Sequence, residues 1–272
     1  MPSAGDLLAV FDSGVGGLTV AGALRRLLPA ERILYLGDTA RVPYGGKSRE
    51  TIERYSTEIA DYLVGEGAKM VVVACNTASA LALDALQKKC PVPVVGVIEP
   101  GVAAALEATR CGHVAVIGTK ATIGSDAYGR ALRAGRPGIK VTGTACPLLV
   151  PLIEEGLLDD EVTDKILARY LVPVREAGAD TLVLGCTHYP LLAAAIAKIA
   201  GPELALVDSA ENCARAVGRL LEERGLLAPS GRAGSLQICF TDPPDRFLRV
   251  AGQALGLPTE DIEVRRVPHL GN

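Results

Sequence analysis

Two stretches decide how this chain folds: GAKMVVVAC (67–75) and GADTLVLGC (178–186). Each opens on Gly-Ala, runs through a short apolar segment and ends in a cysteine. Each follows a long amphipathic pattern, 48–67 in one case and 160–178 in the other. Each cysteine is followed at once by polar residues, Asn76-Thr77 and Thr187-His188. Short Val- and Leu-rich runs without polar alternation are the mark of parallel strands covered on both faces. A repeat of this length predicts two similar α/β halves facing each other. Cys75 and Cys186 then end parallel strands at the carboxyl edge, where open α/β sheets bind their ligands. Two facing halves would bring both thiols to one cleft from opposite sides.

Outward from these stretches, strand and helix patterns alternate. Strands are predicted at 7–11, 32–38, 70–74, 92–100, 113–119, 141–146, 181–186 and 204–209. Helices are predicted at 18–28, 48–67, 79–89, 160–178, 191–201 and 211–225. Strand, helix and strand follow at 236–242, 245–256 and 262–267. Ser48 reads as a helix N-cap, and so does Asp208-Ser209. Pro173 is expected to kink its helix. A weaker echo pairs AVFDSG (9–14) with ALVDSA (205–210). The class is α/β, with mostly parallel sheets and helices on both faces.

Composition removes several functions. The net charge is −3 with no Lys/Arg-rich run, aromatic residues make up 4% and Trp is absent, so no nucleic-acid surface is expected. No stretch has the length of a membrane span, and the N-terminus lacks the pattern of a signal peptide. Seven cysteines in irregular spacing, with no CxxC, argue against a disulfide framework or a zinc site and for a reducing cytoplasm. The loop DSGVGGLT (12–19) imitates a dinucleotide fingerprint, but Thr19 stands where its last glycine belongs and Asp12 would repel a pyrophosphate.

Opposed thiols suit inversion of an α-carbon. A proton leaves one face and another arrives at the opposite face, so two acid/base groups of similar pKa are needed. A thiol near its usual pKa of about 8.5 holds either protonation state with modest help. His188 lies two residues after Cys186 and can orient or deprotonate it, or serve only as a cap or core histidine. Asp12 ends the first strand near the expected Cys75 site, or with Ser13 caps the following helix. Ser13, Asn76, Thr77, Thr119 and Thr187 are short polar groups at strand–helix junctions, where backbone N–H groups can receive carboxylates.

The segments FDSGVGGLTV (11–20), GDTARVPYG (37–45), VVACNTAS (72–79), IGTKATIGSDAY (117–128), PLIEEG (151–156) and GCTHYP (185–190) resemble, in order, those of the glutamate racemases, within the aspartate/glutamate racemase superfamily. The resemblance implies two doubly wound α/β domains with pseudo-twofold symmetry and an active site between them. Residues 1–98 with 208–272 would form the first domain and 99–207 the second, with the crossover at Glu99-Pro100 because proline disfavours helix at the preceding residue. It implies that Cys75 deprotonates D-glutamate with help from Asp12, and that Cys186 deprotonates L-glutamate with help from His188 and Glu154. Ser13, Tyr44, Gly45, Asn76, Thr77, Thr119, Thr122 and Thr187 match substrate-contacting positions; Glu154 and Thr122 rest on the resemblance alone. No PLP or other cofactor and no metal are implied. The expected product is D-glutamate for peptidoglycan, and the expected state a cytoplasmic homodimer. The alternatives are a racemase of aspartate or another amino acid, a thiol redox protein, and a binding module that has lost the chemistry.

Overall fold

The computed structural model describes residues 2–242, together with 252, 254, 264–267 and 270. Its strands are β1 (Leu7–Asp12), β2 (Arg32–Gly37), β3 (Ala68–Val73), β4 (Val94–Gly96), β5 (His113–Gly118), β6 (Lys140–Ala145), β7 (Thr181–Gly185), β8 (Ala205–Asp208), β9 (Ser235–Phe240) and β10 (Val264–Arg266). Its helices are α1 (Leu18–Leu27), α2 (Arg49–Gly65), α3 (Asn76–Leu81), α4 (Leu83–Lys89), α5 (Ile98–Ala108), α6 (Lys120–Gly124), α7 (Ala127–Gly135), α8 (Leu149–Glu154), α9 (Glu161–Glu176), α10 (Ala193–Ala200) and α11 (Ser209–Glu223).

Among the described residues the strands form two sheets, ordered β10-β9-β2-β1-β3-β4 and β6-β5-β7-β8. Every neighbouring pair is parallel. The block β2-β1-β3-β4 therefore repeats as β6-β5-β7-β8. The register repeats too: Phe11 lies opposite Val73, and Ile117 opposite Leu184. The nine-residue echo thus falls on equivalent strands, β3 and β7. The weaker echo does not. It pairs β1 with β8, whose place in the order is that of β4, so a shared Asp-Ser after a short strand reflects only similar junction chemistry.

Alternation along each strand splits the core. Leu8 and Val10 of β1 pack with α1 and α11, whereas Ala9 and Phe11 pack toward α2 and α3. In the second sheet Ala115 and Ile117 join α9 and α10, and Val114 and Val116 join α5 and α7. Each such Val, Leu or Phe contributes about 1.5–3 kcal/mol on burial. At the amino ends of the first sheet, Lys69 is fully buried, with Nζ 2.6 Å from Glu31 and donating to the carbonyls of Ala4 and Leu226. Removing one member of such a buried pair costs about 3–5 kcal/mol. This contact pins the start of the chain to the segment that returns after α11.

Local signals are partly as expected. Ser48 accepts from the Thr51 N–H at 3.3 Å and Asp208 from the Ala210 N–H at 2.7 Å, as N-caps do. Asp12 and Ser13 do not cap α1; that position falls to Gly17, without a side-chain cap. The stretch 92–100 is strand only over Val94–Gly96. Glu99 and Pro100 belong to the first turn of α5, where a proline forfeits only an N–H that has no helical acceptor. The helix expected over 79–89 starts earlier and divides at Ala82 into α3 and α4. α9 runs through Pro173. The predicted elements omit α5, α6, α7 and α8, although α7 is amphipathic, with Tyr128 and Leu132 buried. The helix expected at 245–256 lies, but for 252 and 254, outside the described residues.

Candidate active site

Both cysteines emerge just past the carboxyl ends of equivalent central strands. Cys75 follows β3 and sits at the N-cap of α3, its sulfur accepting from the Ala78 N–H at 3.5 Å. Its thiol reaches Ser13 Oγ at 3.6 Å. Cys186 follows β7, with its sulfur 3.9 Å from His188 Nδ1. The other imidazole nitrogen, Nε2, lies 3.1 Å from Glu154 Oε1. The series Cys186–His188–Glu154 thus draws on β7, the turn after it and α8.

One cavity of about 350 Å³ is lined by both sulfur-bearing residues. Ser13, Tyr44, Gly45, Asn76 and Thr77 line it from the first half of the chain. Thr119, Glu154, Thr187 and His188 line it from the second. Two expected site residues stand behind the wall. Asp12 is fully buried, its Oδ2 accepting from the Gly14 N–H at 3.0 Å and its Oδ1 from Thr187 Oγ1 at 3.4 Å. Thr122 completes a hydroxyl triangle with Thr77 and Thr119, at 3.0–3.3 Å.

Sequence reasoning passed over other parts of the wall. Val42, Pro43, Pro147, Val150 and Pro151 make it apolar, Lys120 adds a cation, and Cys146 adds a third thiol. Cys146 was legible, since the expected strand 141–146 ends on it at the same sheet edge. Asp38 was missed as a brace. This buried carboxylate accepts from the Tyr44 hydroxyl, from Arg41 Nε at 2.7 Å and from Thr241 Oγ1 at 3.1 Å. It holds the loop that carries Tyr44 and Gly45. Burial and the Asp38 charge push the Tyr44 hydroxyl well above the usual phenol range, so it stays a donor.

The glycine loop has a packing role. A Cβ on Gly16 would collide with His188 and Thr187, and one on Gly17 would lie 2.5 Å from the Asp12 Cβ. A Cβ on Gly45 would come within 2.9 Å of Thr119. Gly16 and Gly45 let the two halves close on each other, and Gly17 lets the loop fold onto Asp12 within its own half. Across the same seam Thr19 Oγ1 donates to the Thr187 carbonyl at 3.1 Å.

The two thiols sit in unlike fields. Burial, and next the nearby Asp12 carboxylate, push the Cys75 thiol up to about 12, against the lowering effect of the Ala78 N–H and Ser13. Burial also raises Asp12, opposed by the His188 charge and by backbone N–H groups. For His188, burial alone would lower the pKa. Its hydrogen bonds to Cys186 and Glu154 outweigh that and raise it to about 10. An imidazolium held there is a ready partner for an anionic sulfur.

All seven cysteines are free, and no group of three or more potential metal-binding His, Cys, Asp or Glu residues occurs among the described residues. Nor is any helix among them long and apolar enough to cross a membrane. The sequence matches the Asp/Glu/hydantoin racemase family model over residues 18–217. It is 52% identical to a glutamate racemase of Geobacter metallireducens over 94% of each chain. Its fold superposes on a glutamate racemase of Bacillus anthracis with a TM-score of 0.91 at 39% identity, covering 97% of this chain and 98% of the other. A glutamate racemase of Francisella tularensis, solved with D-glutamate, gives 0.90 at 34% identity over 97% and 98%. A duplicated parallel sheet with paired strand-end cysteines on one cavity, and likeness of this extent, have a single reading: the chain belongs to the Asp/Glu/hydantoin racemase family.

Proposed function

We propose that the protein is a cofactor-independent glutamate racemase that uses Cys75 and Cys186 as its two acid/base groups. One observation carries this reading: two thiols on equivalent strands of a duplicated fold line the same cavity. The glutamate racemase relatives, one of them solved with D-glutamate, support the substrate. The two units are residues 1–98 with 208–272, and 99–207.

In the direction from L- to D-glutamate, the Cys186 thiolate takes the α-proton. The C–H bond breaks, an S–H bond forms, and the electron pair spreads onto the α-carboxylate. The Cys75 thiol then gives its proton to the opposite face, leaving a thiolate. The reverse reaction exchanges these roles. The raised Cys75 pKa supports a resting state with the proton on Cys75, and the His188 imidazolium, 3.9 Å from the Cys186 sulfur, faces the thiolate that this direction requires. Glu154 holds His188 in place. Asp12 opposes charge on Cys75, so Cys75 readily takes back a proton. N–H and O–H donors around Ser13, Asn76, Thr77, Thr119 and Thr187 receive the substrate carboxylates, and donors already aimed at the developing charge lower the barrier most. Asp38 acts through Tyr44 and the loop beside it.

The reading includes a cytoplasmic homodimer whose D-glutamate goes to peptidoglycan; seven free cysteines support a reducing compartment. The test is a substrate panel in deuterated water. L-Glutamate should lose optical activity and its α-proton NMR signal together, without added cofactor. Exchange of aspartate but not glutamate would overturn the assignment.

A further inference from the structure

Asn76 lines the cavity beside Cys75, and its amide is only half satisfied. Oδ1 accepts a 2.7 Å hydrogen bond from the Tyr128 hydroxyl. Nδ2 is buried with no hydrogen-bond partner. A buried donor of this kind costs free energy until an acceptor arrives. An amide can also turn over, exchanging its O and N ends, unless a neighbour accepts only one orientation. A phenol can accept as well as donate, so Tyr128 sets the orientation through its proton: turning the amide would strip that proton of its Oδ1 acceptor. Tyr128 is buried, starts from the other half of the chain on α7, and packs into the second core. Burial keeps its phenol protonated by pushing its pKa above the usual range. Its ring lies beside Gly185, the residue before Cys186: a Cβ there would come 3.3 Å from Tyr128 Cε2, besides clashing with the Ile117 carbonyl at 2.7 Å. One phenol therefore touches the residue after one thiol and the residue before the other.

We infer that Tyr128 is a positioning residue that locks the Asn76 amide with Nδ2 free to donate to a carboxylate of the bound amino acid. This rests on the racemase reading for the substrate, but the orientation of the amide is a property of the protein itself. The lock does two things. It spares the site from turning an amide as charge builds on the carboxylate. It also ties α7 of one half to the residue after Cys75 in the other through a single hydrogen bond.

The experiment is a double-mutant cycle on the full-length protein with Tyr128→Phe, Asn76→Ala and the double variant, assayed for glutamate racemisation. Tyr128→Phe keeps the ring and removes the donor. We expect it to lower kcat/KM about tenfold, mainly in kcat, with an unchanged circular-dichroism spectrum. In the Asn76→Ala background the same change should have almost no further effect on kcat/KM. The second readout is independent of turnover. In ¹⁵N-labelled wild-type protein the Asn76 side-chain NH₂ signals, assigned by their loss in Asn76→Ala, should move on adding glutarate, a dicarboxylate with no α-proton to exchange. In Tyr128→Phe they should broaden, and their response to glutarate should weaken. Multiplicative losses in the cycle, or Asn76 NH₂ signals that glutarate leaves unmoved, would overturn the inference. Wild-type protein inactive on glutamate whose Asn76 signals still respond as described would overturn the racemase reading and leave the lock standing.

Discussion

The two ends of the cavity are built on one plan and equipped differently. In both halves a central strand stops just short of a cysteine, and its neighbour on the same side has the same register. Around those matched sulfurs the side chains have diverged. Asp12 corresponds in register to Gly118, so only the first half keeps a carboxylate there. Cys186 is followed two residues later by His188, whereas the matching position after Cys75 is Thr77. One sulfur therefore faces an acid and the other a base paired to an acid. Duplication supplied the positions, and substitution at a few junction residues supplied the chemistry. The lesson is that geometric symmetry does not require electrostatic symmetry: a reversible proton exchange needs two well-placed groups, and each can be poised in its own way.

The most damaging test of this comparison removes one sulfur at a time. Cys75→Ala and Cys186→Ala should each reduce glutamate racemisation by about a thousandfold or more, because in the proposed scheme each is an obligatory proton carrier. Polarimetry measures this, and near wild-type turnover in either variant breaks the two-sulfur scheme. Next come the assistants. His188→Gln should lower kcat/KM about a hundredfold by depriving Cys186 of its cation, and Asp12→Asn about tenfold. If both changes act on one sulfur only, as judged by α-proton exchange in variants lacking the other cysteine, the division of labour is wrong. A Gly16→Ala change should cost about 1–3 kcal/mol, since its methyl meets His188 and Thr187. Chemical denaturation tests that, together with a loss of activity as the halves are wedged apart.

The smaller effects concern pH. His188 holds its proton up to about pH 10 in the folded protein, against 6.5 for an ordinary histidine. The folded state then binds more protons than the unfolded chain between those values, and stability falls as pH rises through that window. The His188 contribution is fully present below about 6.5 and gone above about 10. The melting temperature of wild-type protein should therefore fall more steeply across this range than that of His188→Gln; parallel curves would refute the pairing.

Much of this architecture is legible in the sequence. The strands around Cys75 and Cys186 are readable because buried parallel strands leave an unbroken apolar run, and the duplication is readable because both runs end in the same residue. His188 and Asp12 follow from adjacency. What stays hidden depends on contacts between segments distant in sequence. Nothing near Asp38 announces that it will hold Tyr44 and Thr241, and nothing near Tyr128 announces Asn76. Pro100 misleads because the rule against helix before proline weakens in a first turn. α6 hides behind a short polar segment whose cap, Thr119, becomes visible only when its hydroxyl is seen accepting from the Thr122 N–H. Gly16 reads as part of a loop that fails to bind a nucleotide, whereas its bareness makes room for His188.

The placement of β9 against β2 bears on how the chain is made. The second sheet is drawn wholly from residues between His113 and Asp208, so a ribosome delivers it as one continuous stretch. The first sheet begins earlier but cannot close its β2 flank until Ser235–Phe240 has emerged. During that interval the unpaired edge of β2 is open to stray strands from other nascent chains. The part of the protein translated first is therefore finished last, and truncation before residue 235 should harm the Cys75 half while sparing the fold around Cys186.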